Sequence, residues 1–173
     1  MKKLLLMFVL LLAISATIHA AGSDNFRLSE TSTTPIMLKF IDEYYIDQSR
    51  INPLEMLKGG LNQVEKLLPE FLVTFEGSDN FTITIDQATK KFSSKNISTL
   101  TELWNLLKDV YTFIEIHYHG IIEGHDIEYT AIDGMLGKLD PHSNILPPKI
   151  FDEFKIGTKG KFGGIGIVIG MKE

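Results

Sequence analysis

Asp140, His142 and Ser143 stand within one short stretch and supply a carboxylate, an imidazole and a hydroxyl, the side-chain types of a hydrolytic triad. Triad members normally converge from separate segments, because nucleophile, base and orienting acid must line up through space. No Gly-x-Ser-x-Gly elbow is present to lift a serine onto a strained turn. The motif therefore reads as structural, with Asp140 and Ser143 bonding to backbone in a turn and Pro141 stopping a helix. His117, His119 and His125 form a second group, with Glu115, Glu123 and Asp126 nearby. On a strand or loop, His-x-His could ligate zinc or copper. On a continuing helix, residues two apart face different ways, and imidazoles near a helix C-terminus, where positive charge is favoured, are the plainer reading. No metal is expected.

Glycine-rich and basic segments offer little more. Gly164-x-Gly166-x-x-x-Gly170 is not a dinucleotide fingerprint, since its third glycine is one residue late and no helix follows. Gly160-Lys161 is followed by Phe162 rather than a hydroxyl residue, so it is no phosphate loop. Lys155, Lys159 and Lys161 read as a solvated loop, and Tyr44, Tyr45, Trp104 and Tyr111 as core and groove packing. The chain has no cysteine, which excludes a disulfide framework, a Cys-ligated zinc site and thiol catalysis.

The elements that must position these residues follow from pattern and punctuation. Residues 1–20 read as a secretory signal peptide: Lys2 and Lys3 precede an apolar run from Leu4 to Ile14, and a small residue stands near Ala20. A membrane anchor needs about 18 continuous apolar residues, and Ser15, Thr17 and His19 break this run early. Residues 21–33 read as a polar linker. Thr34-Pro35 predicts a helix over 35–47 with Ile36, Met37, Phe40, Ile41 and Tyr44 on one face. Asn52 predicts the cap of a second helix over 53–68, whose stripe is Leu54, Leu57, Leu61, Val64 and Leu68. Gly59-Gly60 inside it costs about 1 kcal/mol per residue relative to alanine, and the expected compensation is close approach of another helix or backbone. A hairpin is predicted at about 71–86, with Phe81, Ile83 and Ile85 on the helices. Thr99 and Glu102 form a capping box for a long helix carrying Leu100, Leu103, Trp104, Leu107, Val110, Tyr111 and Ile114. Asp126 is expected to cap the next helix and Asp140-Pro141 to end it. FIDEYY with its glycine-bearing helix is faintly echoed by FIEIHY and the helix bearing Gly134.

The fold class expected is mainly α with a β-hairpin, an α+β domain at 34–146, followed by a short helix and linker at 147–161. Residues 162–173 complete the sequence with Ile165, Ile167 and Ile169 alternating along a strand. A lone strand has no partner for its backbone, so either it pairs with the preceding domain or the chain is the front end of a larger protein, and the second is favoured. The formal net charge is −5, and loss of Lys2 and Lys3 with the signal peptide takes it to −7. A mildly acidic exported chain is a poor match for nucleic acid or an anionic membrane surface.

Three ordered motifs carry a resemblance: Leu139, Asp140, Pro141, His142 and Ser143; then Ile150 to Phe154; then Phe162, Gly163, Gly164, Ile165, Gly166 and Ile167. Together they resemble the carboxyl-terminal processing peptidases, the tail-specific serine proteases of bacteria and plastids, in which a Leu-Asp-Pro-His-Ser turn and a short helix precede a Gly-Gly-Ile-Gly strand that opens a PDZ domain. The resemblance implies an exported endopeptidase that needs no cofactor, either free in the periplasm or another extracytoplasmic space or associated with the membrane there. Its PDZ domain would capture protein or peptide C-termini, with Phe162 to Ile167 as a partial carboxylate-binding loop. Family members cleave with a serine activated by a lysine, both beyond the PDZ domain. No residue here inherits those roles, so the chain alone is expected to be inactive. Family members also imply a homo-oligomer through the N-terminal helices. Two other readings stand beside this one: a stand-alone exported interaction module without chemistry, and a small metal-binding protein using His117 to His125.

Overall fold

A computed structural model describes residues 26–159. The order of elements is α1 (Thr33–Tyr44), α2 (Pro53–Leu67), β1 (Phe71–Glu76), β2 (Asn80–Ile85), β3 (Ala88–Ser93), α3 (Leu100–His117), α4 (Gly124–Leu136) and α5 (Pro148–Lys159). Short 3-10 turns precede α1 at Leu28–Glu30 and α2 at Gln48–Arg50. The described part is thus mainly helical with one small antiparallel sheet, an α+β arrangement.

Local signals account for two helix starts. The Asn52 side chain accepts the Glu55 backbone N–H at 3.2 Å, and Pro53 occupies the first turn of α2. Thr99 and Glu102 form the full reciprocal box at the head of α3. The core collects Leu57, Leu61 and Val64 from α2, Leu103, Leu107 and Ile114 from α3, Ile132 and Met135 from α4, and the inner face of the sheet. Burying each such side chain contributes about 2 kcal/mol.

The tightest contact in this core joins α2 to α4. A Cβ on Gly59 would lie 2.3 Å from the Gly134 carbonyl oxygen, and one on Gly134 would lie 2.3 Å from that of Gly59. Gly60 faces the Ala131 carbonyl in the same way, at 3.0 Å. The two helices touch backbone to backbone, which is the close approach expected from Gly59-Gly60. The two echo motifs end α1 and α3, and the glycine-bearing helices that follow them, α2 and α4, are the pair that meet here.

The sheet corrects the expected hairpin. It has three strands in the order β1-β2-β3, with Phe71 opposite Ile85, Val73 opposite Ile83 and Phe81 opposite Phe92. Phe81, Ile83 and Ile85 are buried as expected, and the Phe81 and Phe92 rings stack at 5.2 Å between centroids. The sequence hid β3 because Lys90 stands where an apolar residue would signal a strand. Its ammonium lies 4.8 Å from the Phe92 ring centroid, so the stem covers apolar surface while the charge stays wet. The turn before β3 also lacks glycine; Asp86 adopts the left-handed conformation at φ 50.

Three other expectations change. Residues 26–33 are no solvated linker: Leu28, Ser29 and Thr31 are buried, so this segment is a strap laid on the helices. Thr34 does not cap its own helix, which begins at Thr33, because its hydroxyl turns inward to Glu128. Asp126 lies in the first turn of α4 rather than at its cap, which is Glu123. The apolar face expected of α1 divides: Ile41 is buried along with Leu38, but Ile36, Phe40 and Tyr44 are 53%, 60% and 68% exposed.

Replacing Gly59 by alanine should lower stability by about 3 kcal/mol, since backbone on both sides cannot yield. Gly77, at φ 70 with open space around it, should cost only about 1 kcal/mol on the same change. Urea unfolding of both variants checks the ranking.

Candidate functional site

α4 gives way to a turn at Gly137, whose N–H still bonds to the Asp133 carbonyl, and Leu139 then drops into the core. The helix has therefore ended before Pro141 is reached, and Pro141 forbids its resumption. Asp140 organises the turn beyond Leu139. Its Oδ1 accepts the backbone N–H groups of His142 at 2.7 Å and Ser143 at 2.9 Å. Its Oδ2 accepts the Ser143 hydroxyl at 2.6 Å and the Tyr45 hydroxyl at 2.7 Å. Arg50 adds a bond from its guanidinium to the Leu139 carbonyl at 3.2 Å. The segment just after α1 is thus tied to the exit of α4.

These donors favour the ionised carboxylate. The Ser143 hydroxyl, then the Tyr45 hydroxyl and the His142 N–H, hold the Asp140 carboxyl well below the usual carboxylate range. The same Asp140 bond raises the Tyr45 phenol.

The arrangement decides against a triad. Ser143 donates directly to Asp140, and His142 contributes only its backbone N–H, so no imidazole stands between acid and hydroxyl. The expected turn is present, with one change: the Ser143 hydroxyl bonds to the Asp140 carboxylate rather than to backbone. Beside the turn lies a groove of about 420 Å³, floored by Ile41, Leu136 and Leu139 and walled by Phe40, Tyr44 and Ile145. Tyr44 stands on its rim rather than in the core, whereas Tyr111 is fully buried and Trp104 meets it edge-on.

The histidines are held apart. The His125 ring lies 3.5 Å from that of Phe26, and the His117 ring tilts against Phe113 at 4.5 Å. Among the described residues, no group of three or more His, Asp or Glu side chains has a metal-holding arrangement. Phe162 to Ile167, the expected carboxylate-binding loop, lies outside the described residues. Of the second motif, Ile150, Phe151 and Phe154 all project from α5 into solvent.

Sequence reasoning missed a buried carboxylate. Glu128 is fully enclosed, and its Oε1 accepts the Thr31 hydroxyl at 2.6 Å, the Thr34 hydroxyl at 2.7 Å and the Thr34 backbone N–H at 2.8 Å. Since that N–H belongs to the first turn of α1, Glu128 caps α1 from a distant helix. Glu128 Oε2 has no hydrogen-bond partner among the described residues. Burial raises the nearby Tyr111 phenol, which lies 3.5 Å from the Thr34 hydroxyl. Glu128 shares a helical face with Ala131, Ile132 and Met135, so an acid within an apolar stripe was the available signal.

No family model and no solved structure matches this chain. A curated protein described as a carboxy-terminal-processing protease, from Bartonella bacilliformis, is 34% identical to it over 64 residues. That stretch covers 37% of this chain and 15% of the relative, so the match spans under a sixth of the relative's length.

Asp140, depressed when folded, should contribute stability above pH ~4, its unfolded value, and lose it as pH falls through the folded value. Urea midpoints at pH 7 and pH 3 should therefore differ less in Asp140→Asn than in the parent. An unchanged difference would remove Asp140 from the acid sensitivity.

Proposed function

We propose that this chain is the non-catalytic front portion of an exported tail-specific serine endopeptidase, acting in C-terminal processing of other proteins. The observation that carries the reading is the 34% identity with a carboxy-terminal-processing protease. The ordered motifs Leu139 to Ser143, Ile150 to Phe154 and Phe162 to Ile167 support it. In this reading the Asp140 turn is a rigid joint. Four hydrogen bonds to one carboxylate fix the direction in which the chain leaves the helical body, toward the domain that would grip a substrate's terminal carboxylate. Phe162 to Ile167 would belong to that grip. The serine and its lysine base would lie outside residues 1–173, so no residue here has a catalytic role.

The protein is proposed to be exported, on the strength of residues 1–20 and of the relative. Among the described residues, no helix is long and apolar enough to cross a membrane.

Immunoblotting of the source cells with an antibody against residues 35–140 tests the reading. The expected band is much heavier than 19.5 kDa. A band slightly below that mass would overturn the protease assignment in favour of an exported interaction module without chemistry.

Self-association through the N-terminal helices is the partner reading. The surface that favours it is on α1, where Ile36, Phe40 and Tyr44 form an exposed i, i+4, i+8 stripe, whereas α2 turns most of its apolar residues inward. Light scattering should report a dimer that Phe40→Asp dissociates, and a monomer at high concentration would end this reading.

A further inference from the structure

α5 leaves the body after Pro147 with an apolar stripe that nothing among the described residues covers. Ile150, Phe151 and Phe154 are each about half exposed, and at 100° per residue they fall in one arc with Gly157. Lys155 lays its ammonium 4.8 Å from the Phe151 ring centroid and closes one side of that arc. Asp152 and Glu153 stand outside it. An amphipathic helix of this kind buries its stripe against another element.

We propose that the occupant is residues 165–169 of the same chain, turned back antiparallel onto α5 with Ile167 against Phe154 and Ile169 against Ile150 and Phe151. This rests on the reading of 162–173 as the opening strand of the next domain, and it names the surface that strand packs on. The composition matches: Ile165, Ile167 and Ile169 make one apolar face, while the opposite face is Gly166, Val168 and Gly170. The link between the elements, residues 160–164, contains Gly160, Gly163 and Gly164, which suits an abrupt reversal of direction. The lengths match as well. Gly157 back to Ile150 spans about 10 Å along a helix axis, and Ile165 to Ile169 about 13 Å along a strand. A second copy would compete against a tether that holds the segment at an effective concentration in the millimolar range.

The chain has no cysteine, so paired substitutions report this contact alone. Phe154→Cys with Ile167→Cys places one thiol on the stripe. Asp152→Cys with Ile167→Cys places it on the opposite side of α5 at nearly the same chain separation. Under mild oxidation the first pair should close an intramolecular disulfide about tenfold faster than the second, because only a packed contact holds the thiols within bonding geometry. Rates are read on non-reducing gels and linkage by mass spectrometry. Equal rates, or a disulfide-linked dimer as the main product, would overturn the proposal. Neither outcome touches the protease assignment, which the native mass decides separately.

Discussion

The meeting of Gly59 with Gly134 is a constraint on which the other contacts depend. Carbonyl oxygens occupy the space where Cβ atoms would stand, so α2 and α4 are drawn to the closest separation that two helices can reach. At that separation Met56, Leu57, Leu61 and Val64 of α2 share one core with Ala131, Ile132 and Met135 of α4. The sheet then packs beside them, contributing Phe71, Phe81, Ile83, Ile85 and Phe92. Two glycines within helices are a local cost that this shared burial offsets.

Two carboxylates finish the assembly in different ways. Glu128 is buried and works inward. It draws Thr31, Thr34 and the first turn of α1 onto α4, and so makes the strap at 26–33 part of the body. Ser29 repeats the arrangement with its hydroxyl 2.6 Å from Glu115 on α3. Asp140 lies near the surface and works outward. It gathers two backbone N–H groups and two hydroxyls into a turn, and through Tyr45 it secures the segment just beyond α1. One acid sets how the chain enters the domain and the other how it leaves. For a module proposed to carry further domains, a fixed exit is the useful property, because a wandering joint would spread the positions of the domains beyond it.

Much of this was legible in residue order. The capping residues Asn52 and Thr99, the stripes of α2 and α3, the close approach at Gly59-Gly60 and the turn centred on Asp140 are local or periodic signals, and a helix or turn responds to them directly. β3 was not legible, because Lys90 reaches over Phe92 and Phe113 from a position whose pattern reads as polar. The strap was not legible either, since Ser29 and Thr31 are polar residues made buriable only by carboxylates far along the chain, Glu115 and Glu128. Thr34 looked like a cap for the same reason that it is useful to Glu128: its hydroxyl and its N–H are both donors near a helix start.

The sequence by itself determined the helical character of the domain, the places where most of its helices begin, and the turn that Asp140 nucleates, because these depend on atoms a few residues apart. It also determined that thiol chemistry is excluded and that Asp140, His142 and Ser143 are crowded into one turn. Only the tertiary structure decided that His142 stays out of the Asp140–Ser143 bond, that the three histidines separate, and that Ile36, Phe40 and Tyr44 face solvent while Leu38 and Ile41 do not. The physical reason is that a stripe's periodicity says which residues share a face but not which neighbour that face meets. That choice was made between distant segments, by glycines on α2 and α4 and by a carboxylate on α4 that captured the start of α1.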